Sequence, residues 1–201
     1  MTKTFKEQII ITDFKKGKIL KNILGIPMVE HVRRRAKLCN EIDEVYVATC
    51  DSEIVEAVTQ YGGKIIMTSA THSNGTERVA EAIKNLECTH VIILQGDEPL
   101  IYPEHLSKII DVIKKNLSIK AWNATGPIIS EIDLNNNAIV KCVISKDNRI
   151  YFCSRKSPCI SDYSAQIKII RKILGVIIFR KEFLLKFIDL PKGDLEEIEF
   201  I

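Results

Sequence analysis

These 201 residues lack the spacings that build a metal cage or a disulfide frame. Six cysteines (Cys39, Cys50, Cys88, Cys142, Cys153 and Cys159) are scattered with no C-x-x-C, and no two histidines stand at metal-ligand spacing. Zinc-ribbon and disulfide-stapled scaffolds are thereby excluded, and free thiols in a reducing cytoplasm are the economical account. Long hydrophobic runs are missing too. No stretch approaches eighteen apolar residues, and residues 1–6 hold no apolar signal-peptide core, so the expectation is a cytoplasmic chain with no membrane partner. Charge of one sign is scarce: the formal net charge is +3, which implies no nucleic-acid partner. The densest basic run, Arg33-Arg34-Arg35, sits in a helical pattern and reads as a solvated helix face. No internal repeat or low-complexity segment is present. A hydrophobic share of 46% against 27% charged suits one soluble domain with a sizeable core.

The chain is organised around His90-Val91-Ile92-Ile93-Leu94-Gln95-Gly96-Asp97-Glu98-Pro99. Four successive aliphatic residues bounded by turn formers predict a strand buried on both faces, as in a parallel sheet. The ligand site of such a sheet lies past its carboxyl ends, where Asp97 and Glu98 fall. Gly96 permits a sharp turn and close approach, and Pro99 keeps both acids out of a continuing strand. A carboxylate there suits a hard cation held against phosphates. Taken alone, the same turn also reads as a strand-to-loop junction with solvated acids.

Residues 7–13 predict a first strand, followed by a lysine-rich loop with Gly17 and Lys18. Pro27 opens a helix with Met28, Val32 and Ala36 on one face, and residues 45–48 form a second strand. Asp51 caps the next helix, which Gly62-Gly63 ends before a strand at 64–68. The polar loop 71–78 leads into a helix through Gly75-Thr76, whose free N–H groups suit an anion or a base edge. Pro103 begins a further helix. Four strand–helix alternations argue a parallel sheet. Strand-like stretches at 120–129, 139–145, 149–154 and 168–180 then suggest hairpins or an arm.

Several strings in one order carry a family resemblance: G-I-P-M-V-E-H-V at 25–32, V-A-T at 47–49, H-S-N-G-T-E-R at 72–78, Q-G-D-E-P at 95–99, N-A-I-V-K at 137–141 and Y-F-C-S-R at 151–155. Together they resemble 3-deoxy-manno-octulosonate (KDO) cytidylyltransferase, the CMP-KDO synthetase of lipopolysaccharide assembly, over roughly residues 17–201. The resemblance implies an α/β, Rossmann-like nucleotidyltransferase fold with a mixed, mostly parallel sheet, helices on both faces and a small β-rich arm. The whole chain reads as a single domain, with the arm or dimerisation insert at roughly 130–170, and as a homodimer. Implied also is cytidylyl transfer from CTP to KDO with Mg²⁺. By the same resemblance Asp97 matches the metal-binding aspartate and Lys18 the phosphate-binding lysine, both counted as catalytic. Asn74, Gly75, Thr76 and Arg78 match the nucleotide loop, and Gln95 and Arg155 the sugar-acid contacts; for Arg155 an ion pair within the arm is the competing reading.

Departures bear on these expectations. Where the family opens on Pro-Ala-Arg and Ser-x-Arg-x-Pro-Gly-Lys, Ile11-Thr12-Asp13-Phe14-Lys15-Lys16-Gly17-Lys18 keeps only Gly-Lys, without the phosphate-binding arginine and serine. Asn74 replaces a serine, and Ile173 stands where a sugar-contacting histidine is expected. Residues 195–201 resemble the start of the family's L-E-x-x-E-x-L-E segment, and its later sugar-binding positions, last strand and second metal-binding aspartate have no counterpart. The expectations are therefore a poor catalyst or none, and exposed apolar surface near Ile198, Phe200 and Ile201. Alternatives are a cytidylyltransferase for an acylneuraminate or amino-KDO, a non-catalytic nucleotide-binding homologue, or part of a longer enzyme.

Overall fold

The computed structural model describes residues 6–12, 17–157 and 162–199. The readings placed on residues 1–5, Asp13-Phe14-Lys15-Lys16, Cys159, Phe200 and Ile201 lie outside the described residues. In chain order the elements are β1 (Glu7–Thr12), β2 (Asn22–Ile23), β3 (Ile26–Pro27), α1 (Met28–Ala36), β4 (Glu44–Thr49), α2 (Ser52–Thr59), β5 (Lys64–Met67), α3 (Gly75–Ile83), β6 (His90–Gln95) and α4 (Pro103–Lys115). β7 (Ala121–Pro127), α5 (Glu131–Asn135), β8 (Lys141–Ile144), β9 (Ile150–Ser154), α6 (Tyr163–Gln166), β10 (Ile170–Arg180), α7 (Lys181–Phe187) and α8 (Asp194–Glu199) follow. The chain parts into two compact units, Met1–Trp122 with Gly175–Leu190, and Asn123–Leu174 with Pro191–Ile201. The segment expected to form an arm belongs to the second.

In the first unit β5, β4, β1 and β6 run parallel in that spatial order. The carboxyl half of β10 joins β6 antiparallel, pairing Val176 with Leu94 and Arg180 with His90. Every residue of β1 is buried, as a strand covered on both faces requires. Ile10, Val91, Ile93 and Phe179 share one face and pack against Val79, Ala80 and Ile83 of α3 and Leu184 of α7. By the two-residue alternation, Ile9, Ile11, Ile92 and Leu94 point to the other face, where α1 packs on β1 and α4 on α1.

The arginine run differs from the solvated face expected of it. Arg33 is buried and grips the fully buried Glu30 through Nε (2.6 Å) and Nη2 (2.8 Å), and its Nη2 also donates to the carbonyl of Tyr61. Arg34 Nε donates to the same carboxylate at 2.7 Å, and Arg35 Nε to the carbonyl of Ile101. The space comes from the turn after α2: Gly62 has φ +71°, and a Cβ on Gly63 would lie 2.3 Å from Val58 Cγ1 and 3.0 Å from Arg33 Cδ.

Glu7, at the start of β1, has no such partner. Its Oε1 is buried without a hydrogen bond among the described residues, and burial pushes the carboxyl up to about 7, with Lys114 opposing and Asp43 adding to the rise. In the unfolded chain the group titrates near its ordinary value. Between the two values the folded state keeps a proton that the unfolded state has released, so stability falls as pH rises through that window and levels off above about 7. Thermal unfolding of Glu7→Gln from pH 5 to 8 is expected to lack this fall; parallel curves for the two proteins would refute the assignment.

The second unit is built from antiparallel pairs. β8 pairs β9, with Cys142 opposite Cys153, and the amino half of β10 pairs β8. Lys141, in β8, is fully buried, and its ammonium donates to the carbonyls of Asn136 (2.5 Å), Ile139 (2.9 Å) and Arg155 (2.6 Å). α8 buries no side chain among its described residues, and Ile198 is exposed. Among the described residues no helix is long and apolar enough to cross a membrane.

Candidate active site

The carboxyl ends of β1 and β6 meet at Thr12 and Gln95, which are in register, and Gly96 N–H donates to the Thr12 carbonyl at 2.9 Å. Here the buried strand gives way to the acidic turn. A Cβ on Gly96 would lie 3.0 Å from Ile19 Cγ2, and one on Gly75 3.1 Å from Thr12 Cγ2, so both glycines permit close approach. The start of α3 and the Asp97 turn therefore stand beside the same two strand ends.

Lys18 reaches this turn because its neighbour is anchored. Ile19 is buried, its carbonyl accepts from Val29 N–H, and the β2–β3 hairpin is tied to α1 by His31 Nε2 against the Ile23 carbonyl at 2.8 Å. Lys18 Nζ then forms an ion pair with Asp97 Oδ2; the side chains are 43% and 25% exposed. A pair that open to water contributes at most about 1 kcal/mol. Its presence is not explained by stability.

On the other side of Gln95, a Cβ on Gly175 would stand 2.7 Å from Gln95 Oε1 and 2.9 Å from Glu98 Oε1, while Gly175 N–H donates to Glu98 Oε1 at 3.2 Å. Glu98 is thus fixed to β10. Gln95 is exposed, and its amide makes no hydrogen bond among the described residues.

The loop before α3 is braced by two glutamates. Asn74 Oδ1 accepts from Glu77 N–H, and the Glu77 carboxylate accepts from Ser73 N–H, Ser73 Oγ and Asn74 Nδ2, a variant of the capping box. Glu81 accepts from Ser69 N–H and contacts His72 Nε2, which holds the Glu81 carboxyl below the usual carboxylate range. Among the described residues, the N–H groups of Gly75 and Thr76 make no hydrogen bond and stand at the positive end of α3. Arg78 is turned inward instead: Nη1 donates to Thr68 Oγ1 at 2.7 Å, and the residue is 6% exposed. It braces the loop.

The structure brings Lys18, Asn74, Gly75, Thr76, Gln95 and Asp97 into one unit around two strand ends. Arg155 belongs to the other unit, where Nε donates to the Glu199 carbonyl and Nη1 to that of Asn137. Gly175 and the tether on Glu98 were not found from sequence, since only the antiparallel return of β10 brings them to Gln95. Among the described residues no cluster of three or more His, Cys, Asp or Glu forms a metal cage.

The profile of the cytidylyltransferase family matches residues 16–201. The chain belongs to that family. The cytidylyltransferase is 40% identical to the 3-deoxy-manno-octulosonate cytidylyltransferase of Thermodesulfovibrio yellowstonii, over 91% of this chain and 76% of that protein. It is 37% identical to the 8-amino-3,8-dideoxy-manno-octulosonate cytidylyltransferase of Shewanella piezotolerans, with the same coverage. A solved CMP:2-keto-3-deoxy-manno-octonic acid synthetase complexed with CTP superposes with a TM-score of 0.88 at 30% identity, covering 98% of this chain and 83% of that one. The resemblance drawn from the motifs and the nucleotidyltransferase fold is thus borne out.

Proposed function

We propose that this cytidylyltransferase moves CMP from CTP to the anomeric hydroxyl of KDO. The hydroxyl oxygen bonds to the α-phosphorus, the bond from that phosphorus to the β-phosphate bridging oxygen breaks, pyrophosphate leaves and the hydroxyl proton is lost. The observation that carries this reading is the Lys18–Asp97 pair beside the unsatisfied N–H groups of Gly75 and Thr76, in a chain 40% identical to a KDO cytidylyltransferase.

Each group has a task in that chemistry. Gly75 and Thr76 offer backbone donors to the nucleotide, Asn74 fixes them through its cap, and Arg78 acts at one remove by holding residues 68–69. Lys18 exchanges Asp97 for phosphate oxygens, and Gln95 offers its amide to the sugar acid. Mg²⁺ fits the donor chemistry here, since such ions take one or two carboxylates and fill their shell from phosphates and water. Asp97 would hold it. When bound it supplies charge neutralisation on the phosphates. Arg155 is proposed for the sugar acid through its guanidinium.

The amino-sugar relatives favour one second reading, an 8-amino-KDO acceptor. The protein is further proposed to work as a cytoplasmic homodimer for lipopolysaccharide synthesis; the exposed Tyr151 and half-exposed Phe152 on β9, the last strand in its sheet, suit an interface. Pyrophosphate release from CTP, Mg²⁺ and each sugar tests the reading, with sedimentation of the same preparation expected near twice 22.8 kDa. CTP is expected to bind about tenfold or more tightly than UTP, because the amine of cytosine donates where the uracil oxygen accepts. Thr76→Trp should weaken CTP. Turnover with an acylneuraminate but with neither of these sugars would overturn the assignment, and equal affinity for CTP and UTP would remove this loop as the base reader.

A further inference from the structure

At the opposite end of β6 from Asp97 lies a cavity of about 450 Å³ lined by Cys88, Thr89, His90, Leu117, Arg180, Lys181 and Glu182. Its volume lies in the usual range for small-ligand sites. Leu117, Cys88 and the His90 ring give it an apolar wall, and the His90 ring sits 5.9 Å from that of Trp122.

The polar groups around it are donors in excess. Arg180 is paired directly across from His90, so the two side chains share a face of the sheet. The Arg180 guanidinium makes no hydrogen bond or ion pair among the described residues. Trp122 Nε1–H, which can only donate, is buried with no acceptor among them. Lys181 is spent on the carbonyls of Lys84 and Leu86, and Glu182 is itself engaged. Glu7, in register with His90 on β1, is not among the residues lining the cavity, and burial pushes its carboxyl up to about 7. Burial and the Arg180 charge push His90 down to about 4, so the imidazole is neutral at pH 7. An apolar pocket whose one guanidinium makes no hydrogen bond or ion pair among the described residues suits an acceptor with an apolar body.

We propose that this cavity binds a small carboxylic acid carrying an apolar chain, with its carboxylate on Arg180 and its chain against Leu117 and Cys88. The site is separate from the nucleotide reading, and its test uses binding in place of turnover. Trp122 is the only tryptophan of the chain and its ring neighbours that of the lining His90, so fluorescence excited selectively at the indole reports on the surroundings of this cavity. Titrating the whole protein with hexanoate should give a saturable change with a Kd on the order of 1 mM. Acetate and 1-hexanol, each holding one half of the recognition, should bind about tenfold more weakly or worse. Arg180→Met should weaken hexanoate by about tenfold or more and leave 1-hexanol unchanged, while Arg180→Lys keeps part of the affinity. Absence of saturation with hexanoate, an equal response to acetate or to 1-hexanol, or full hexanoate affinity in a folded Arg180→Met protein would overturn the proposal. Should that variant fail to fold by circular dichroism, the comparison of hexanoate with 1-hexanol on the unaltered chain decides.

Discussion

Asp97→Asn is expected to lower turnover about 10²- to 10³-fold, the usual loss when one charge-stabilising group is removed from a reacting centre. The same change should leave the melting temperature nearly where it was, because the ion pair it breaks is partly open to solvent. That combination separates a functional carboxylate from a structural one. It should also erase the dependence of CTP affinity on Mg²⁺, a readout independent of the chemical step. Pyrophosphate release within about threefold of the unaltered chain would remove Asp97 from the site and leave the QGDEP turn a solvated loop.

Lys141→Met is expected to do the reverse and act through folding. Replacing every member of a buried polar group by apolar ones can be neutral, but here the three carbonyls of Asn136, Ile139 and Arg155 stay behind without their donor. Such a one-sided deletion costs about 1–3 kcal/mol for a buried acceptor left unpaired, against a whole-domain stability of about 5–15 kcal/mol. Denaturant unfolding should show the loss, and limited proteolysis should cut first within the second unit. One of the three carbonyls belongs to Arg155, so the turn that presents this arginine should loosen as well. A midpoint within error of the unaltered protein would mean that the carbonyls find water at no cost.

Much of the first unit was legible because its elements are long and periodic. The Val91-Ile92-Ile93-Leu94 run, the Asp51 cap and the Gly62 end of α2 each obey a local rule, and each stands where that rule puts it. Residues 22–27 and the helices α5 and α6 were not legible, being too short for a period to show. Arg33 misled for a different reason: its burial depends on the missing Cβ of Gly63, thirty positions away. Lys141 did carry a signal, a lone lysine amid Ile139, Val140, Cys142 and Val143, where a solvated side chain has no place to go. At the site, the family resemblance groups Asp97, Gly75 and Lys18, yet it does not show that Arg78 turns inward. Whether an arginine meets a ligand or a loop depends on its rotamer.

Glu77 and Glu81 clamp residues 69–74 through hydrogen bonds that the chain itself supplies. A loop already held in one shape has little conformational freedom left to lose, so CTP should associate in a single kinetic phase whose observed rate rises linearly with concentration. Loosening either glutamate would then appear as curvature in that plot, with loop closure becoming the slow event.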